Sequence, residues 1–166
     1  GEDATHQCLE AAFKKLADSP KKFKSQVLSF ISKIKNPELQ AYWKSRMHFR
    51  NKKYSEALSN LNLISSKKYL NRKSLLQKKT YLALNKPKEA LAPCLEIMYS
   101  FSADLSQNKY SNWEDLENAA LTAARILKSM GQTQQILKIK ERILLSKIPN
   151  ADSIALSIDK ILGDKG

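Results

Sequence analysis

The stretch "YLALNKPKEALAPCLEIMY", residues 81–99, decides the fold. Tyr81, Leu82 and Leu84 close one apolar run, and Asn85-Lys86-Pro87 interrupts it. Ala90, Leu91, Cys94, Leu95, Ile97 and Met98 then recur at helical spacing. Asn85-Lys86-Pro87 is read as the break, and "KEALAPCLEIMYSF" from Lys88 as the second helix. The segment therefore predicts two helices joined by a tight break. Pro93 lies inside the second helix, where it removes a backbone hydrogen bond and is expected to bend the segment.

The same pattern extends in both directions. Towards the N-terminus, "THQCLEAAFKKLA" places Leu9, Ala12, Phe13 and Leu16 on one stripe, and "KKFKSQVLSFISKI" does so with Phe23, Val27, Phe30, Ile31 and Ile34. Asp18-Ser19-Pro20 and Asn36-Pro37 separate these segments from each other and from "ELQAYWKSRMHFR". A further break at Asn51-Lys52-Lys53 precedes "YSEALSNLNLI". Beyond residue 101, "SADLSQNKYSN" lacks apolar periodicity and reads as the longest loop. "WEDLENAALTAARILKSM" follows, with Asn112 as its N-cap, acids in its first turn and Gly131 as its C-terminal stop. Two more apolar helices flank Pro149. About nine helices result, and no segment reads as a strand.

Laying "NKKYSEALSNLNLI" over "NKPKEALAPCLEI" aligns the breaks and the Glu-Ala-Leu triplets, with Ala57 and Ala90 33 residues apart. A small residue there lets two helices approach closely. This spacing and pattern resemble the tetratricopeptide repeat family, whose period is about 34 residues. In that resemblance Tyr54 matches the aromatic that opens the second helix, and Leu61 and Cys94 fill its large apolar position. A third unit aligns Gly131 with the glycine between helices. It departs elsewhere, since Ile136 stands where Ala is expected and lies 46 residues after Ala90. The resemblance implies a right-handed α-α superhelix of stacked hairpins. Residues 1–36 would be an N-terminal hairpin packed on the array. Residues 37–166 would carry the repeats, with a loop insertion near 102–112 and a C-terminal capping helix.

The 166-residue chain carries a formal net charge of +13, with 42% hydrophobic and 27% charged residues, a balance that favours a folded core over disorder. The positive charge concentrates between Lys44 and Lys88: residues 37–70 hold seven basic and two acidic side chains, residues 71–101 six and two. Such a field attracts acidic proteins or polyanions. No apolar run approaches the roughly 18 residues a membrane-spanning helix requires. Cys8 and Cys94 are too few for a structural zinc site; Cys94 reads as a core residue, and a Cys8–Cys94 disulfide is the minority alternative.

Signals for catalysis are weak. His6 and His48 are the only histidines and are not read as metal ligands, and no phosphate loop, nucleophile elbow or HExxH motif is present. "EDLE" at residues 114–117 places carboxylates at the positive end of a helix dipole, which accounts for them without acid–base chemistry. The expectation is a protein that is not an enzyme and uses no cofactor or metal.

The resemblance also implies that the first helix of each pair lines a concave groove. In that register Arg46, Lys79 and Arg125 share one column, flanked by Tyr42, Phe49, Arg50, Arg72, Leu82 and Lys128. Arg and Lys beside aromatic and aliphatic side chains suit an acidic or carboxylate-bearing peptide, because Arg grips a carboxylate through two parallel hydrogen bonds. The same residues read more plainly as the polar faces of amphipathic helices in a Lys-rich chain. The function expected is a non-catalytic protein–protein interaction scaffold with an acidic partner. The alternative is a nucleic-acid-binding helical repeat using residues 44–88, against which stand the few aromatics free for base stacking. The ending "KIPNADSIA" resembles the junction in periplasmic tetratricopeptide lipoproteins. Together with a first residue other than Met, it leads to the expectation of an exported bacterial protein of the periplasm or cell envelope, with a role in envelope assembly; a cytoplasmic protein is the alternative.

Overall fold

The computed structural model describes residues 1–100 and 113–164, and among these the chain is all-α. The helices are α1 (Glu2–Asp18), α2 (Pro20–Ser32), α3 (Pro37–Arg50), α4 (Tyr54–Leu61), α5 (Leu70–Ala83), α6 (Pro87–Ser100), α7 (Trp113–Ser129), α8 (Thr133–Leu145) and α9 (Ala151–Gly163). A short 3-10 turn at Lys67–Tyr69 precedes α5. The breaks fall where Pro and Asn place them. Pro20, Pro37 and Pro87 open their helices, and the Asn36 side chain accepts the N–H groups of Glu38 and Leu39 at 3.0 Å each. α6 runs unbroken through Pro93, which is buried in it.

Three helix ends close in one way. Lys52, Asn85 and Gly131 have φ of 59°, 55° and 70°. The N–H of the residue after each reaches back five positions: Lys53 to the His48 carbonyl at 2.8 Å, Lys86 to Tyr81 at 2.8 Å, and Gln132 to Leu127 at 2.9 Å. These closures are spaced by 33 and 46 residues, matching the spacing of the sequence pattern. Five residues beyond each stands a fully buried side chain: Ala57, Ala90 and Ile136. Ile136 fits because the bulk is exchanged across the hairpin. The facing helix α7 presents Ala119, Ala120, Ala123 and Ala124, all with no exposed surface.

Each helix packs on the next in the chain, and α3 additionally meets α5, and α7 meets α9. The buried side chains form two clusters that adjoin at α5. One gathers Leu9, Leu16, Trp43, Met47, Leu61 and Leu76; the other gathers Cys94, Ile97, Leu116, Ile136, Ile143 and Ile154, with Leu75 packed against it. α5 is accordingly enclosed on most sides and buries polar groups too. Thr80 Oγ1 donates to the Leu76 carbonyl at 2.6 Å, and Lys78 Nζ donates to Asn118 Oδ1 on α7 at 2.5 Å. Cys8 and Cys94 are both free, Cys8 exposed and Cys94 in the core, so the minority disulfide alternative is set aside. The predicted loop near 102–112 and the Asn112 cap lie outside the described residues. No described helix is long and apolar enough to cross a membrane.

Candidate binding groove

α1 is fastened along its length to the elements that follow it. At its start the Glu2 carboxylate accepts the Tyr69 hydroxyl at 3.0 Å and pairs with Lys68 Nζ at 2.5 Å, which holds its pKa below the ordinary value. At its end, Arg50 Nη2 donates to the Leu16 carbonyl at 2.6 Å. Leu16 is one of the last-turn residues whose carbonyls have no partner within the helix, so this arginine acts as a C-terminal cap. Midway, Arg46 Nη1 donates to Glu10 Oε1, and the Arg46 guanidinium lies 4.6 Å from the centre of the Phe13 ring and 4.9 Å from that of Trp43. Trp43 is fully buried, with Phe13 and Tyr42 rings each 5.3 Å away.

This packing leaves a cavity of about 410 Å³ bordered by α1, α3 and α5. Among the described residues its cations are Lys14, Arg46, Arg50 and Lys79, its apolar walls include Phe13 and Phe49, and its one carboxylate is Glu10. Lys14 and Lys79 are exposed, Arg46 and Arg50 half-buried. Phe49 is steadied by an edge contact with the Tyr54 ring at 5.4 Å. A site of this kind suits an extended segment carrying carboxylates beside apolar side chains.

The structure brings together four of the predicted groove residues, Arg46, Phe49, Arg50 and Lys79. The others are placed elsewhere. Tyr42 is buried against Trp43, and burial pushes its phenol pKa up. Arg72 is only 3% exposed, with its guanidinium 5.6 Å from the Tyr42 ring. Neither lines an open surface, because α3 and α5 pack those faces together. Leu82 is exposed on α5 outside this cavity, and Arg125 is exposed on α7, also outside it. Lys128 Nζ is occupied by the Ile161 and Asp164 carbonyls at the end of α9, a cap for that helix. Sequence reasoning missed Glu10, Phe13 and Lys14. The signal was available: counting 33 residues back from Arg46 lands on Phe13.

A second cavity, of about 470 Å³, is bordered by α6, α7 and α8. Tyr99 on α6, Leu116 on α7 and Lys138, Glu141 and Arg142 on α8 are among its lining residues. Among the described residues no group of three His, Cys, Asp or Glu side chains is placed to hold a metal ion. The Cys94 thiol, deep in the core, is pushed by burial up to about 11. Comparison of this chain with protein-family models, with curated proteins and with solved structures finds no match.

Proposed function

We propose that this protein is a non-catalytic interaction scaffold, a tetratricopeptide-like helical repeat that receives an acidic or carboxylate-bearing segment of a protein partner in the groove between α1, α3 and α5. The observation that carries the reading is the convergence of Lys14, Arg46, Arg50 and Lys79 on one cavity, against Glu10 alone among the described residues. The repeated left-handed helix ends at Lys52, Asn85 and Gly131 support the repeat reading. The weakness of catalytic motifs supports a binding role. A place in cell-envelope assembly, in an exported protein, rests on the resemblance of residues 147–155 alone.

The test is titration with a fluorescein-labelled peptide of about ten glutamates, followed by anisotropy. Lys14 and Lys79 are exposed, so Lys14→Glu with Lys79→Glu should preserve the helical spectrum while weakening binding about tenfold or more. Arg125→Glu, on α7, should leave binding within about twofold as a control. No binding by the wild-type chain, or equal loss with Arg125→Glu, would remove the groove from consideration. A mixed-sequence single-stranded oligonucleotide bound more tightly than the peptide, with a steep loss in salt, would favour the nucleic-acid reading instead.

A further inference from the structure

We infer that Glu10 is an internal competitor for the groove: its carboxylate occupies the place on Arg46 that a ligand carboxylate would take, and an acidic segment must displace it to bind. This inference rests on the acidic-segment reading given above.

Three observations converge on it. Among the described residues Glu10 is the only carboxylate lining the cavity, and it sits on Arg46. Its side chain is 38% exposed, so it can swing into solvent without disturbing the packing of α1. Arg46, by contrast, keeps its position without Glu10, because the Phe13 and Trp43 rings hold the guanidinium at 4.6 Å and 4.9 Å. The cation is therefore preorganised and its anion exchangeable. That is the arrangement in which one carboxylate can replace another.

The groups facing Glu10 set how firmly it holds. His6 Nε2 lies 3.7 Å from the same oxygen, one helical turn before it, and Lys14 follows one turn after. A ligand contributing a single carboxylate only replaces one ion pair with another and gains little. A segment with several acids, reaching Lys14, Arg50 or Lys79 as well as Arg46, gains contacts that Glu10 cannot supply. The groove would thus reject isolated carboxylates and select acidic runs.

The experiment uses the full chain and the same labelled glutamate peptide. Glu10→Gln should bind it about two- to fivefold more tightly, the size of one partly exposed ion pair. Glu96→Gln, on α6, makes the same change of net charge and should alter binding by less than that. In an Arg46→Gln background the gain from Glu10→Gln should vanish, since the competed cation is gone. Wild-type binding with no gain in Glu10→Gln, an equal gain in Glu96→Gln, or a gain that survives in Arg46→Gln overturns the inference while leaving the groove standing. Failure of the wild-type chain and all variants to bind overturns the groove itself.

Discussion

Substituting the left-handed helix ends should change stability with opposite signs at two equivalent positions. Gly131 adopts φ of 70°, and a Cβ added there would meet nothing within 4 Å. Gly131→Ala therefore carries no clash, and its cost is the backbone conformation alone, about 1 kcal/mol. Lys52 adopts φ of 59° in the matching place and bears that cost already. Lys52→Gly removes it but makes the unfolded chain more flexible, leaving a net stabilisation of about 0.5–1 kcal/mol. Lys52→Ala keeps the strained backbone while deleting the charge, so it should be near neutral and isolates the backbone effect. For a chain of this length each kcal/mol moves the melting temperature by about 2–4 °C. Urea unfolding followed by circular dichroism, with unchanged slope, measures the same differences as midpoint shifts. If Gly131→Ala were neutral and Lys52→Gly destabilising, the two turns would not share one geometry, and the proposed tetratricopeptide-like reading would lose its firmest support.

Three further outcomes are open to measurement. Ala90→Leu inserts bulk at a fully buried position on α6 and should cost about 1–3 kcal/mol in urea unfolding; a neutral result would mean that α6 can shift to make room. Glu38 accepts from the Ser66 side chain, its largest influence, and from Ser65, and its pKa is lowered from 4.5 to about 2. A depressed carboxylate contributes stability above its unfolded pKa and loses it as pH falls, so Glu38→Gln should flatten the stability curve between about pH 4.5 and 2. At pH 8, iodoacetamide should add one adduct, at exposed Cys8, while buried Cys94 reacts only on unfolding; a doubly modified native protein would contradict the core packing around α6.

Much of the fold was legible because its punctuation is chemical. Pro20, Pro37 and Pro87 each start a helix, and Asn36 supplies the matching cap. Asn85 and Gly131 are residue types that tolerate φ above zero, so two of the three left-handed helix ends fall where the sequence itself marks a break. Lys52 is not of such a type, since nothing in a lysine announces a left-handed backbone. Its position 33 residues before Asn85 was the only indication. Burial was read well where apolar residues recur and poorly on α5, where Arg72, Lys78 and Thr80 are buried. Long polar side chains look exposed in a sequence. Here they are enclosed because helices pack on several sides of α5, and the buried ends find acceptors and rings such as Asn118 and Tyr42.

The groove shows why a column of equivalent positions is not yet a surface. Arg46, Lys79 and Arg125 share one column in the register that the tetratricopeptide resemblance implies, yet of these three Arg46 and Lys79 line one cavity and Arg125 does not. What separates them is the neighbour each helix receives. α3 lies beside α1, which brings Phe13, Lys14 and Glu10 to it and converts a solvated arginine into one held between rings. α7 instead meets α9, whose last carbonyls take Lys128 out of play as a cap. The segment without a repeat signature thus completes the candidate site, because the cavity depends on a side-by-side partner for α3 and not on the family pattern of that partner. Moving Glu10 out of register with Arg46 tests this directly. In Glu10→Ala with Gln7→Glu, the carboxylate is set back almost one turn on α1. Binding of the glutamate peptide should then match that of Glu10→Gln, and a return to wild-type affinity would show that nearby negative charge, and not occupancy of Arg46, limits the groove.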